Sequence, residues 1–351
     1  MGDPPQVSVL MPVRNGARWL CEAIDSVLTQ SLPDLELIVV DDGSTDMTPE
    51  ILAGYAERDS RVRPIYGDAE GLVAALNRGL GAARAPFVAR LDSDDIALPQ
   101  RLERQLRHLE ANGNIALLGS WAERMDDMGQ TNRRLMPPVN PAELVRALSS
   151  TNPFIHSSVM YRTAVARKLG GYRAVFEAAE DYDLWLRFTE VGDIANLPEL
   201  LVRYRYYATN VTSRKTLRQL FSVRLAREAS LGRRKNGYDP TASLASPPDW
   251  WAAEADKAFY ADNARMYRFL ELSDTKVAAD FDLGRVDLSA FLQQFRRLTH
   301  AERKLAQLAV INLLRRRNRP PNLSTGALLF LLFRLHPARA ARLAWSASAR
   351  A

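Results

Sequence analysis

Residues 35–59 read LELIVVDDGSTDMTPEILAGYAERD. The run from Leu35 to Val40 is apolar apart from Glu36 and has no helical period, which predicts a strand buried on both faces. Asp42 and Gly43 supply turn chemistry, and Ser44, Thr45 and Asp46 are good caps for a following helix. Pro49 then stands near the start of a helix over 47–59. The same unit recurs on either side. QVSVLMPV at 6–13 predicts a strand, and the helix after it, over 15–30, places Leu20, Ala23, Ile24, Val27 and Leu28 on one face. Downstream, VRPIY is a strand, 71–83 a helix, PFVARLD at 86–92 a strand, 99–112 a helix and 115–125 a strand. Strands and helices alternating through short connections predict an α/β fold, a doubly wound and mainly parallel sheet with helices on both faces. Ligands of such sheets bind at the carboxyl ends of the strands.

After about residue 130 the alternation breaks down. TNPFIHSSVMYR at 151–162 reads as a loop leading into a strand, and AVARKLGGY at 164–172 as a short helix stopped by Gly170 and Gly171. Residues 180–192 predict an amphipathic helix with Leu184, Trp185, Phe188 and Val191 inward. From 214 onward the pattern is helical, over 214–232, 249–272, 287–298, 300–317 and 323–345. Two domains are expected, 1–210 and 211–351.

Of the 351 residues 47% are hydrophobic, enough for a well-formed core. A single cysteine, Cys21, rules out an internal disulfide and suits a reducing cytosol. The N-terminus has no basic region followed by an apolar run, so no signal peptide is expected. GALLFLLF at 326–333 falls far short of the roughly 20 apolar residues of a spanning helix. The net charge of +6 is uneven: residues 300–351 hold ten Lys plus Arg against Glu302 alone, leaving the rest of the chain near −3. A basic tail interleaved with Leu, Phe and Trp points to an anionic membrane surface or to a solvated helix. No motif for reading nucleic acid accompanies it.

Three acidic clusters carry the chemistry. In LDSDD, Asp92 and Asp94 are two apart around a small serine. Carboxylates this close repel, and a divalent cation removes the conflict. Oxygen ligands without His or Cys select Mg²⁺ or Mn²⁺, which fill their shells with phosphate oxygens and water. A solvated loop with Asp95 as a helix cap is the plainer account of the same letters. Asp41 and Asp42 end a buried strand, where carboxylates can accept from a ribose or a nucleobase. Neither a G-x-G-x-x-G nor a P-loop motif is present, so phosphate cannot rest mainly on a glycine-rich backbone cradle. Glu180, Asp181 and Asp183 open a helix, where the dipole favours anions. They are capping acids, or one of them is a general base.

Four stretches in series carry a resemblance: VSVLMPVRNGARWLCEAIDSVLTQSLPDLELIVVDDGSTD, FVARLDSDDIALPQRLERQ, HSSVMYR, and GGYR with EDYDLWLR. Together they resemble the family-2 glycosyltransferases of the GT-A fold, inverting enzymes of bacterial polysaccharide synthesis, over about residues 5–205. The resemblance implies a nucleotide-diphosphate sugar donor, a divalent metal (Mg²⁺ or Mn²⁺) and a carbohydrate or lipid-linked acceptor. It places Pro12, Asp41 and Asp42 at the nucleoside, with Asn77 beside the nucleotide. It makes Asp92 and Asp94 the D-x-D pair, Asp92 also near the nucleotide and Asp94 the direct metal ligand. Asp181 becomes the catalytic base, with Glu180 and His156 toward the acceptor. His156 also reads as a hydrogen-bonded structural histidine, and Trp185 as core. A sugar nucleotidyltransferase would carry a glycine-rich basic loop after the first strand, where PVRNGARW has one glycine. A catalytically silent sugar- or nucleotide-binding relative would be expected to lack the D-x-D pair or the base, and both are present. The tail leads to a further expectation, a cytoplasmic enzyme peripheral to the inner membrane face. Leu328, Leu329, Phe330, Leu332, Phe333 and Trp345 would then enter the interface. Packing of those side chains on the catalytic domain, or on a second copy through the C-terminal helices, is the alternative.

Overall fold

The computed structural model describes residues 4–207, 216–274, 288–316, 323–337 and 340. The chain divides into two compact units, Met1–Arg214 and Lys215–Ala351.

The first unit is a mixed sheet with helices packed against it. Its parallel half contains β1 (Val7–Val13), β2 (Leu35–Asp41), β3 (Val62–Tyr66) and β4 (Phe87–Arg90). The order is β3-β2-β1-β4, all parallel, with Val7 opposite both Leu35 and Phe87. β1 and β2 are buried along their whole length, as near-continuous apolar strands are in a sheet covered on both faces, and their buried polar pair, Ser8 and Glu36, is hydrogen-bonded. The chain runs outward from β1 through β2 to β3 and returns to place β4 on the other side of β1. The switch point therefore lies between β1 and β4, and the loops after those strands flank it.

Helices α1 (Leu20–Leu28), α2 (Thr48–Arg58), α3 (Leu72–Ala82) and α4 (Arg101–Ala111) make the connections. α1 buries Leu20, Ala23, Ile24 and Val27 against a core that includes Val9, Val39 and Ala89. Gly43 is held at φ +69°, and a Cβ there would meet the Ala69 backbone nitrogen at 2.8 Å, so the turn after β2 requires glycine.

The rest of the sheet is where the sequence reading fell short. β6 (Ile115–Met125) pairs in parallel with β9 (Asp193–Arg205), a strand the sequence pattern did not reveal. Pro198 interrupts its alternation, and the pairing shifts register at Ile115–Leu117, Ser120–Trp121 and Trp121–Ala122. β8 (Met160–Arg162) is antiparallel to β4 and β6, while β5 (Ile96–Ala97) and β7 (Thr131–Leu135) add short antiparallel edges. α5 (Pro141–Leu148) and α6 (Thr163–Lys168) follow, then α7 (Glu180–Phe188). α7 buries Leu184, Trp185 and Phe188, but it ends there, and Val191, expected inward, is 51% exposed.

Helices dominate the second unit: α8 (Thr216–Asn236), α9 (Ala261–Glu271), α10 (Leu288–Gln294), α11 (His300–Arg315) and α12 (Thr325–Leu335). The helix expected from 249 begins only at 261. Pro247 and Pro248 precede it, and Asp249 Oδ1 accepts from Trp251 N at 2.9 Å, a local turn that competes with a helical start. Glu302 pins this unit. It completes a capping box with Thr299, accepts from Arg224 Nε at 3.0 Å and Nη2 at 2.7 Å, and accepts from Tyr267 Oη at 2.7 Å. Among the described residues no helix is long and apolar enough to cross a membrane. Leu328 and Leu332, expected to enter a membrane interface, are fully buried because they face the core of their own unit. Phe330 and Phe333 stay 59% and 56% exposed, and Trp345 lies outside the described residues.

Candidate active site

β4 delivers the chain to the switch point, and the acidic loop follows at once. Asp92, Asp94 and Asp95 place a carboxylate oxygen each within 4.8 Å of one another. They are not equivalent. Arg90, fully buried at the end of β4, donates through Nη2 to Asp92 Oδ1 and through Nη1 to Ser157 Oγ at 2.8 Å. The single hydroxyl proton of Ser157 goes to Asp92 Oδ2 at 3.0 Å. Burial pushes the Asp92 carboxyl up, but the charge and hydrogen bond of Arg90 outweigh it and hold the group below the usual range.

Asp94 and Asp95 lack such a partner. Burial and the Asp92 charge push Asp94 up to about 6, and burial with both neighbours raises Asp95 well above the usual carboxylate range. Asp95 is no helix cap: Oδ1 accepts from Arg205 N at 2.7 Å, and Oδ2 is buried with no hydrogen-bond partner. An orphaned carboxylate oxygen inside a cluster of like charges fits a hard divalent cation, and the donor set is oxygen only.

The end of β9 holds this loop. Arg205 Nε donates to the Asp94 carbonyl at 2.8 Å and Nη2 to Glu22 at 2.8 Å. Tyr207 Oη donates to Asp94 Oδ2 at 2.9 Å, and its ring packs 4.8 Å from that of Trp19. These residues, with Arg90 and Ser157, were missed from sequence. The available signals were an arginine at the end of a buried strand and the cationic, aromatic run VRYRYY.

At the β2 end, Asp41 and Asp42 are buried. Asp41 Oδ1 accepts from Ser44 N at 3.0 Å, while the two oxygens of Asp42 accept from Glu70 N and Gly71 N at 2.8 Å each. Pro12 sits in β1 opposite Val40. The loop after β1 is tied to the loop after β2, Asn15 N donating to Ser44 Oγ at 2.7 Å and Thr45 N to Asn15 Oδ1 at 2.7 Å. Asn77, expected beside the nucleotide, bonds to the backbone of Tyr172. Its amide donates to Tyr172 O and accepts from Tyr172 N, each at 2.8 Å, so it straps α3 to the 170–172 turn.

The three acids opening α7 separate by environment. Asp183 is buried between Arg173 and Arg187 and serves the fold. Asp181 Oδ2 accepts from Asn152 at 2.8 Å and Oδ1 from Tyr182 N at 2.6 Å. Burial raises its carboxyl against those bonds and the charge of Arg90. Burial and the Asp181 charge push Glu180 up to about 7. Burial and the Arg90 charge push His156 well below the ordinary imidazole range. Its Nε2 lies 3.3 Å from Tyr172 Oη, and its ring meets Trp185 edge-on, which fits a structural histidine. The Arg90 guanidinium thus stands within electrostatic reach of the D-x-D loop, Glu180, Asp181 and His156. The arrangement offers oxygen ligands for a cation and, separately, a partly buried carboxylate of raised basicity in Asp181.

Comparison with known proteins agrees with this geometry. The profile of glycosyl transferase family 2 matches residues 8–170. EpsE of Bacillus subtilis is 38% identical over 210 residues, covering 58% of this chain and 74% of that protein. The O-antigen biosynthesis glycosyltransferase WbnJ of Escherichia coli is 33% identical over 205 residues, covering 57% of this chain and 80% of its own. Among solved structures, S. aureus TarS in complex with UDP-GlcNAc superposes with a TM-score of 0.56 at 17% identity, over 90% of this chain and 93% of that one. A mannosyltransferase of Pyrobaculum calidifontis in complex with GDP-Man and Mn²⁺ gives 0.51 at 18% identity, over 89% and 86%. At these identities the structural likeness speaks for the GT-A fold.

Proposed function

The chain belongs to glycosyltransferase family 2, and from that membership we propose a metal-dependent, inverting transfer from a nucleotide-diphosphate sugar to an acceptor hydroxyl, in the synthesis of a bacterial surface polysaccharide or glycolipid. The observation that carries this reading is the acidic loop at the switch point, with its unpartnered Asp95 oxygen, sharing the field of Arg90 with Asp181.

In this reading Asp181 accepts the proton of an acceptor hydroxyl. The acceptor oxygen bonds to the anomeric carbon as the bond from that carbon to the diphosphate oxygen breaks, through an oxocarbenium-like transition state. The nucleoside diphosphate leaves with the bonding pair. Asp94 and Asp95, with Asp92 beside them, would hold Mg²⁺ or Mn²⁺, which when bound neutralises the diphosphate charge. Pro12, Asp41 and Asp42 line the nucleoside pocket, Asp42 by fixing the 70–71 loop. Asn152 orients the base, and Arg90 keeps Asp92 ionised.

Thermal unfolding with UDP, GDP, dTDP, CDP or ADP, each with Mn²⁺ or with EDTA, tests the site. One nucleotide should stabilise the chain only with metal, by about 2.7 kcal/mol at a hundredfold excess over Kd. Asp94→Ala should abolish that metal-dependent shift. Because metal must displace the proton of Asp94, the shift should fade as pH drops below about 6, affinity falling by about tenfold per pH unit if one proton is displaced. A shift that survives EDTA would remove the metal from the mechanism, and a metal-dependent shift that survives Asp94→Ala would remove Asp94 from its ligands.

The tail adds a second measurement. Phe330 and Phe333, exposed on one side of α12 in a strongly basic region, would insert at an anionic membrane surface. Flotation with anionic vesicles should fall for F330S/F333S relative to the unaltered chain, and equal flotation of both forms would end the idea.

A further inference from the structure

The second unit contains a cavity of about 500 Å³ that the transfer chemistry does not use. One face of α8 forms its wall, with Arg224, Arg227, Glu228, Leu231 and Lys235 at helical spacing. The chain then turns back at Gly237. Gly232 permits the close return, since a Cβ there would meet Pro240 Cδ at 2.7 Å. The return is fixed by Arg233 donating to Asp239 Oδ2 at 2.8 Å and by Asp239 Oδ1 accepting from Thr241 N at 2.8 Å. Tyr238 and Phe259 present exposed rings at the rim, and Arg297 approaches from the segment before α11.

Charge is unbalanced here. Glu302 neutralises Arg224 on the inner wall. Arg227, Lys235 and Arg297 have no acidic partner among the described residues, and Glu228 is the one acid in the lining. Three cations against the single carboxylate of Glu228 leave the cavity with a net positive charge, which attracts an anion.

We propose that this cavity binds a short saccharide carrying a phosphate or carboxylate group. Arg227, Lys235 and Arg297 meet the anionic group, the rings of Tyr238 and Phe259 take the apolar face of a sugar ring, and Glu228 and Asn236 serve its hydroxyls. The size falls within the usual range of small-molecule sites. A free phosphate would leave most of the volume to water, and an acyl chain would strand Glu228 and Asn236 against hydrocarbon. That the saccharide is a fragment of the acceptor rests on the glycosyltransferase reading; the binding itself does not.

Calorimetric titration of the full chain with glucose 6-phosphate, glucuronate, glucose and inorganic phosphate tests the assignment. At least one anionic sugar should bind more tightly than glucose and than phosphate. Arg297→Ser should weaken it by about 10- to 100-fold, the range for losing a hydrogen bond to a charged group. Tyr238→Ala should weaken the anionic sugar while leaving inorganic phosphate unchanged. Both side chains are exposed, and an unchanged circular dichroism spectrum and unfolding midpoint in each variant would establish that the second unit is folded. Equal affinity in wild type and Arg297→Ser, glucose binding as tightly as the anionic sugars, or phosphate alone matching them would each overturn the proposal. A nucleotide shift that persists while no anionic sugar binds would overturn this inference alone and leave the transfer reading intact.

Discussion

Asp181→Asn is expected to lower kcat by about 10²–10⁴-fold while leaving metal-dependent nucleotide binding in place. The amide keeps the shape and can still meet Asn152 after a flip, but it cannot take a proton. Burial holds the Asp181 carboxyl above the ordinary range in spite of the Tyr182 amide, the Arg90 charge and the Asn152 hydrogen bond. A base must be ionised to act, so the rate in the unaltered enzyme should rise with pH through that raised value, and the variant should lose that limb. Steady-state rates measured beside the nucleotide thermal shift separate the two roles. If Asp181→Asn loses nucleotide binding as completely as Asp94→Ala, then Asp181 is not a base acting on the acceptor.

Arg90→Met is expected to destabilise the first unit by about 3–5 kcal/mol, the cost of removing one member of a buried ion pair. Arg90 is fully buried and links β4, Ser157 and Asp92. Asp92 is partly open to solvent, which places the effect toward the lower end. The pH dependence has a definite sign. The folded-state value of Asp92 is depressed, so its contribution is present above the unfolded carboxylate range and is lost as pH falls through the folded value. The gap between wild type and variant should therefore be widest near neutrality and narrow in acid. Urea unfolding of both proteins across that range measures it. A gap that does not change with pH would mean that packing, and not the charge of Arg90, is what the site depends on.

Much of the first unit was legible from local pattern. β1, β2 and β4 announce themselves because strands covered on both faces read as near-continuous apolar runs, and α1 because its buried residues recur at helical spacing. The D-x-D loop, the carboxylates ending β2 and the acids opening α7 were visible as charges where a chain should avoid them. β9 was not legible. Its stability comes from pairing with β6 across a long separation in sequence, and Pro198 and three register shifts break the alternation that would have marked it. Without β9, Arg205 and Tyr207 could not be assigned to the acidic loop.

What the sequence determined by itself, then, is the class of fold and the stretches that hold the acids, because these follow from residue type and local spacing, while the family rested on the resemblance of four motifs in series. Which acid does what was decided only by tertiary structure. Asp92 and Asp94 are two residues apart, yet one faces a buried guanidinium and the other does not. Asp181 and Asp183 share one helical turn, yet Asp183 lies between two arginines while Asp181 keeps a carboxylate of raised basicity. The role of a carboxylate depends on burial and on charges brought close by the fold, and neither is a property of its neighbours in the chain.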